Sequence, residues 1–167
     1  LPLKVIRNDE IVEGITSRTL WFGIYCGIVS VMVFYNIFIF FSTREKSYFY
    51  YVLHTIFIGL TQISLIGFGY KYLWPNAPWF GNFSIYFFTC MVSIVGIQFL
   101  IEFMPVRRKT SPKIFVTLKI FQVLYLLLIL LSLTGNYSFT FSQILNIQPF
   151  VAIAIIGIAI YYFRQGY

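Results

Sequence analysis

Five long apolar runs, separated by short polar stretches, fill most of the chain. Within each run the hydrophobic residues are nearly continuous, so they neither alternate as in a half-buried strand nor follow a single helical face. Each run reaches the ~20 residues that an α-helix needs to cross the hydrocarbon core of a bilayer. The fold predicted for residues 19–167 is therefore all-α, a polytopic membrane helical bundle with transmembrane helices at about 19–42, 48–70, 80–101, 114–134 and 144–163.

The composition agrees with this pattern and excludes a water-soluble globule. Of the 167 residues, 59% are hydrophobic and 10% are charged, against roughly 25% charged residues in an average soluble domain. The stretches between the apolar runs are too short to hold a second core, so one membrane domain is expected. Pro149 is the single proline inside a predicted span, and the predicted boundaries place it in the first turns of the fifth helix.

The first 18 residues have a different character. Apolar residues alternate over 1–6, as is typical of the end of a β-strand, and a polar stretch follows. Asn8 or Asp9 can cap a short helix that Gly14 terminates. We interpret residues 1–18 as the exit of a missing extracytoplasmic domain followed by a linker.

The net charge of +7 comes from basic residues in short loops, which is a feature of membrane topology, and we expect no nucleic-acid partner. Lys71 is the one basic residue in the loops on one side of the membrane. The loops and chain end on the other side hold seven, namely Arg44, Lys46, Arg107, Arg108, Lys109, Lys113 and Arg164. Because cytoplasmic loops carry the excess of Lys and Arg, this bias predicts an N-terminus outside and multi-pass insertion in the cytoplasmic (inner) membrane.

Few side chains within the spans can carry chemistry. Of the Asp, Glu, His, Lys and Arg residues, two fall inside them, His54 and Lys119, and Lys119 is close enough to the predicted cytoplasmic edge to extend to the headgroups. No carboxylate lies within a span to relay protons or bind a coupling cation. Cys26 and Cys90 lack metal-ligand spacing. We therefore expect no catalytic, cofactor or metal site, and no enzymatic activity.

Four polar side chains form a candidate intramembrane layer: Asn36, His54, Gln98 and Gln122. If the first turn is centred near Glu45, Asn36 and His54 lie at the same depth of an antiparallel hairpin and are predicted to face each other. A polar group in hydrocarbon is costly unless it is hydrogen-bonded, so Asn36 is expected to pair with His54 or with the two glutamines. The layer is either a set of packing contacts or a bistable element that passes a signal, and both interpretations stay open.

Small residues predict close helix contacts in two places. Gly23 and Gly27 have the spacing that lets membrane helices approach one another, and the fifth helix carries a similar set, Ala152, Ala154, Gly157 and Ala159. We expect these positions to pack inside the bundle. The alternative is an interface with a second copy of the chain, which would make a homodimer.

Several motifs resemble one known family, the bacterial seven-transmembrane receptors with diverse intracellular signalling modules (7TMR-DISM). The resemblance covers residues 18–167 and rests on segments 23–27, 34–38, 47–51 and 67–76. Its most specific parts are the pair Tyr35-Asn36, the tyrosine cluster after a basic turn, and the outer loop Tyr72-Leu73-Trp74-Pro75.

The resemblance implies five transmembrane helices of a probable seven, with the sixth and seventh absent. In that family the helices link an outer ligand-binding domain to a cytoplasmic output domain such as a histidine kinase, a diguanylate cyclase or a phosphatase. It thus implies a membrane sensor that transmits an extracytoplasmic ligand signal inward, with these two domains and the lipid bilayer as partners. The alternatives are a small-molecule transporter or permease fragment and a non-catalytic membrane subunit.

Overall fold

The computed structural model describes residues 8–104 and 111–164, and for residues 8–15 and 18 it describes the backbone alone. Every regular element in these ranges is helical. In chain order they are α1 (Asn8–Thr43), α2 (Lys46–Leu65), a short π-helical segment (Gly69–Leu73), α3 (Pro78–Phe103), α4 (Pro112–Ser132) and α5 (Tyr137–Arg164).

Within the described residues, four helices are long and apolar enough to cross a membrane: α1 from Thr19, α3, α4 and α5. The protein is therefore a multi-pass membrane protein. The 20-residue α2 is more polar, because it carries His54, Gln62 and several hydroxyl side chains. A fifth crossing helix stays a prediction.

Helix α3 occupies the centre of the described part of the chain. It contacts α2, α4 and α5, whereas α1 contacts α2. The fully buried side chains include Cys90 and Ile97 of α3 and Leu118 and Tyr125 of α4. Because lipid is as apolar as these side chains, packing and hydrogen bonds, more than exclusion from water, hold such helices together. The position of α3 thus places it against three of the other four long helices.

The first helix is longer than the sequence predicted. The predicted stop at Gly14 is wrong, since α1 runs without interruption from Asn8 to Thr43, and the assignment of residues 1–18 as a domain exit and linker stays a prediction. A glycine inside a helix costs only roughly 0.5–1 kcal/mol relative to alanine, which a long helix can absorb. The predicted strand at 1–6 lies outside the described residues.

The second helix is shorter than predicted and ends at Leu65, not near Tyr70. Gly67 follows with a φ of 84°, the left-handed conformation that commonly ends a helix. Its backbone N–H donates to the Ser64 carbonyl. The chain then forms the π-helical segment before α3 begins.

The fifth helix begins at Tyr137, seven residues before the predicted start at Ile144. Two hydroxyl side chains in this extra stretch donate to carbonyls one turn earlier in the chain, Thr140 to Asn136 and Ser142 to Ser138. These bonds satisfy the hydroxyl groups within the helix, so the hydroxyl-rich stretch can be helical without polar partners on another helix. Pro149 consequently lies in the middle of α5, and its predicted place in the first turns is wrong.

Three of the glycines that were expected at helix contacts, Gly23 and Gly27 of α1 and Gly157 of α5, do not pack inside the described bundle. No heavy atom outside its own helix lies within 4 Å of the position that a Cβ atom would take at Gly23, Gly27 or Gly157. The internal packing expected at these three positions is therefore wrong for the part of the chain that the structure describes.

Candidate functional site

Polar contacts follow α3 through most of its length, and we call them the α3 polar track. From Ser84 to Gln98 they cover roughly 21 Å along the helix axis, a large part of a hydrocarbon core about 30 Å thick. In order along α3, they pair Ser84 with Ser64 of α2, Val92 with His54 of α2, Ser93 with Gln148 of α5, and Gln98 with Lys119 and Gln122 of α4.

The α3–α4 end of the track is the densest part. The Lys119 ammonium donates to Gln122 Oε1 at 2.8 Å and to Gln98 Oε1 at 3.1 Å. Gln122 Nε2 donates to the Ile94 carbonyl at 2.9 Å and to Gln98 Oε1 at 3.3 Å. The structure thus brings together two of the four residues of the predicted layer, Gln98 and Gln122, and adds Lys119 to them.

The Gln98 side chain connects a cation with an anion. Its Oε1 accepts from Lys119, and its Nε2 donates to Glu102 Oε1 at 3.2 Å. The ammonium of Lys119, which the sequence predicts to reach the headgroups, is bonded to the two glutamines and lies 5.7 Å from the Phe115 ring centroid. Hydrogen bonds to a charged group are stronger than neutral ones, so this amide orders the end of α3 against α4.

His54 contacts the backbone of α3. Its Nδ1 donates to the Val92 carbonyl at 3.0 Å, which assigns the proton to Nδ1 in the neutral ring. In a helix the carbonyl of one residue lies beside the side chain four residues later, which here is Gly96. Since Gly96 has no Cβ, the imidazole can lie directly against α3 and reach a carbonyl that a larger side chain would shield.

Asn36 is separate from the other three residues of the predicted layer. Its Nδ2 donates to the Met32 carbonyl of its own helix at 2.8 Å. The predicted pairing of Asn36 with His54 or with the glutamines is therefore wrong. The physical reason is local, because a short amide side chain in a helix can satisfy itself on the preceding turn and needs no neighbouring helix.

The sequence interpretation missed a third polar contact, at the junction of α3, α4 and α5. Gln148 Oε1 accepts from the fully buried Tyr125 hydroxyl at 2.8 Å and from Ser93 at 3.3 Å. An amide inside an apolar run, directly before a proline, is the sequence signal from which Gln148 could have been found. With this contact, polar groups join α3 to each of its three helical neighbours.

The loop between α2 and α3 ends the track at the other end of the bundle. The indole of Trp74 lies over Gly69 and meets the Phe80 ring at a centroid distance of 5.1 Å. Tyr70 covers Gly81, where an added Cβ would lie 2.9 Å from Tyr70 Cδ2. The loop is thus packed onto the start of α3 through Trp74 and Tyr70.

These contacts contain amides, hydroxyls, one imidazole and one ammonium, each bonded to a defined partner. Such an arrangement can fix the register and rotation of α3 against its neighbours, and a change at one helix alters bonds at the next.

A family model with the description "7TM diverse intracellular signalling" (7TMR-DISM) matches residues 18–167. The match covers nearly the whole chain and includes every residue of the α3 polar track. Neither a curated protein nor a solved structure shows a significant match. The chain is an all-helical, multi-pass membrane protein, and it belongs to the 7TMR-DISM transmembrane family of signalling receptors.

Proposed function

We propose that the chain is the membrane sensor module of a bacterial receptor and that it transmits the binding of an extracytoplasmic ligand to a cytoplasmic output domain. The observation that carries this proposal is the family match over residues 18–167. The module sits in the inner membrane with its N-terminus outside and five of the seven helices of its family, and it performs no catalysis itself.

The α3 polar track supports a route for the signal. Hydrogen bonds between membrane helices contribute little individually, on average ~0.6 kcal/mol. A helix held by several weak bonds can exchange partners at low cost, which is what a two-state element requires. In this proposal, motion that begins at the outer loop shifts α3, and the Gln98 contacts with α4 carry the shift toward the end of the helix.

The test uses the natural full-length gene and replaces Gln98 and Gln122 with leucine, singly and together. The matched control is Gln62→Leu, because Gln62 is exposed on α2 and lies outside the track. Transcript profiles are compared with those of wild-type and deletion strains, with receptor levels in the membrane measured by immunoblotting.

We expect the double variant to reproduce the transcript profile of the deletion strain at an unchanged membrane level, while Gln62→Leu behaves as wild type. A deletion strain with a wild-type profile and reduced solute uptake would contradict the receptor proposal and favour a transporter. A wild-type profile in the double variant would reject the track as the signal route.

A further inference from the structure

A cavity of about 620 Å³ opens at the end of the bundle where α1 turns into α2 and α3 ends. This volume lies within the ~300–1,000 Å³ range of small-ligand sites. Its wall combines Asn36 from α1, Lys46 and Tyr51 from α2, and Phe99 and Glu102 from α3. Three helices therefore form one site, and it touches the α3–α4 contacts described above through the hydrogen bond from Gln98 to Glu102.

The charges around this cavity are unusual for their surroundings. This end of the chain carries the loop residues that are mostly Lys and Arg. Of the five acidic residues, three precede residue 14, and the other two, Glu45 and Glu102, both line the cavity. Glu102 accepts one hydrogen bond, from Gln98, and neither carboxylate has an ion-pair partner among the described residues. The cavity thus concentrates negative charge within a basic region.

Aromatic rings line the same cavity as the two carboxylates. Tyr51 and Phe99 meet edge to face at a centroid distance of 5.8 Å, and Phe99 stacks on Phe103 at 5.4 Å. Ring faces attract ammonium groups, more strongly where water is excluded. Lys46 lines the same cavity and can bind an anion, while Phe103 is 65% exposed at its edge. The wall therefore suits a ligand with a cationic and an anionic group and an apolar extension.

We propose that this cavity binds the headgroup of a phosphoethanolamine lipid, with the ammonium at Glu45 and Glu102 and the phosphate at Lys46. The cavity lies where α1 and α3 end, beside the α1–α2 turn that the basic loop residues predict to lie at the cytoplasmic membrane surface. The acyl chains would follow the exposed ring of Phe103 into the bilayer. This proposal does not depend on the signalling role, because it concerns a resident lipid and not a transmitted signal.

The test measures lipid that stays bound to the natural full-length protein after extraction from vesicles containing equal amounts of phosphatidylethanolamine and phosphatidylglycerol. Native mass spectrometry counts each lipid on the wild type, on Glu45→Gln with Glu102→Gln, and on the control Glu13→Gln. The control removes a carboxylate near the start of α1, roughly 45 Å along the helix from Thr43.

We expect the wild type and the control to retain phosphatidylethanolamine preferentially, and the double variant to lose this preference by roughly fivefold, the upper end of the range for an exposed ion pair. Equal retention by the double variant and the wild type at equal folded fraction, or a wild-type preference for phosphatidylglycerol, would overturn the proposal.

A second arm separates the lipid from a soluble amine. Lys46→Gln should weaken retention of the lipid because it removes the partner of the phosphate, whereas binding of spermidine, which has no phosphate, should not fall. If spermidine binds the delipidated wild type at micromolar concentration and displaces all bound phosphatidylethanolamine, the site belongs to a soluble amine and the lipid assignment is wrong.

Discussion

Gly96 determines how closely an imidazole ring can approach the backbone of α3. A Cβ atom there would lie 2.9 Å from His54 Cε1, closer than packed atoms approach. We predict that Gly96→Ala displaces the ring and weakens its bond to the Val92 carbonyl. The expected loss in the free energy of unfolding is about 1 kcal/mol, within the range measured for polar bonds between membrane helices. Unfolding in mixed detergent micelles measures it.

Gly157→Ala is the matched control for this prediction, because the added methyl group at that position meets open space. If the effect of Gly96→Ala passes through the imidazole, it should disappear in a His54→Ala background. An equal loss in both backgrounds would show that the alanine disturbs α3 independently of His54.

The Gln122 side chain bonds to Lys119, to the Ile94 carbonyl and to Gln98, so its removal should weaken all three contacts. Gln122→Leu deprives the Lys119 ammonium of one of its two amide acceptors and the Ile94 carbonyl of its side-chain donor. Because a charged group in the membrane depends on its partners, we predict a loss of about 1–2 kcal/mol in the free energy of unfolding. Gln62→Leu, the same change on an exposed face of α2, should alter stability by less than half as much. Similar losses for both variants would contradict the importance of this contact.

At the scale of helices, the apolar runs predicted α3 and α4 to within two residues at each end, and in the structure Pro78 and Pro112 stand in the first turns of these helices. The end of α2 and the start of α5 could not be found from hydrophobicity. One depends on the positive φ of Gly67, and the other on hydroxyl groups that bond within their own helix. Local backbone conformation and hydrogen bonding decide both boundaries, and a count of apolar residues contains no information about either.

The same distinction separates the correct and incorrect parts of the candidate site. Gln98 and Gln122 have long side chains that reach a neighbouring helix, and the structure joins them. Asn36 is shorter and bonds to its own backbone. The partner of His54 is a backbone carbonyl exposed by a glycine, and a search for polar side chains does not consider such a partner.

The π-helical segment between α2 and α3 offers a prediction about a whole element. Trp74 lies over Gly69, and a Cβ atom at Gly69 would overlap the indole ring. We predict that Gly69→Ala expels Trp74 from its place against Phe80 and shifts its fluorescence emission to longer wavelength. The measurement uses a background with Trp21→Phe and Trp79→Phe, so that Trp74 is the single tryptophan. Gly23→Ala, where the added methyl group has free space, should leave the emission unchanged; a shift there, or none for Gly69→Ala, would contradict the packing role.

At the scale of the whole molecule, the surface shows what surrounds the chain. Large apolar side chains on α1 and α5 are exposed, among them Phe38 at 73% and Phe163 at 79%. An apolar surface of this extent is costly in water, so it agrees with lipid or membrane helices as the environment. Which side of the membrane each end faces does not follow from packing, because a helical bundle has the same internal contacts in either orientation. The distribution of Lys and Arg among the loops is what predicts the orientation.

The orientation can be tested with two cysteines at opposite ends of the bundle, in a background carrying Cys26→Ala and Cys90→Ala. Thr43 ends α1 and Ala77 precedes α3, and both are exposed. Because the basic loops are expected to stay in the cytoplasm, a membrane-impermeant thiol reagent added to intact cells should label Ala77→Cys and leave Thr43→Cys unlabelled. Both should react after permeabilisation, which controls for access to the thiol. Labelling of Thr43→Cys alone in intact cells would invert the topology and place the cavity beside Glu45 and Glu102 on the outer face.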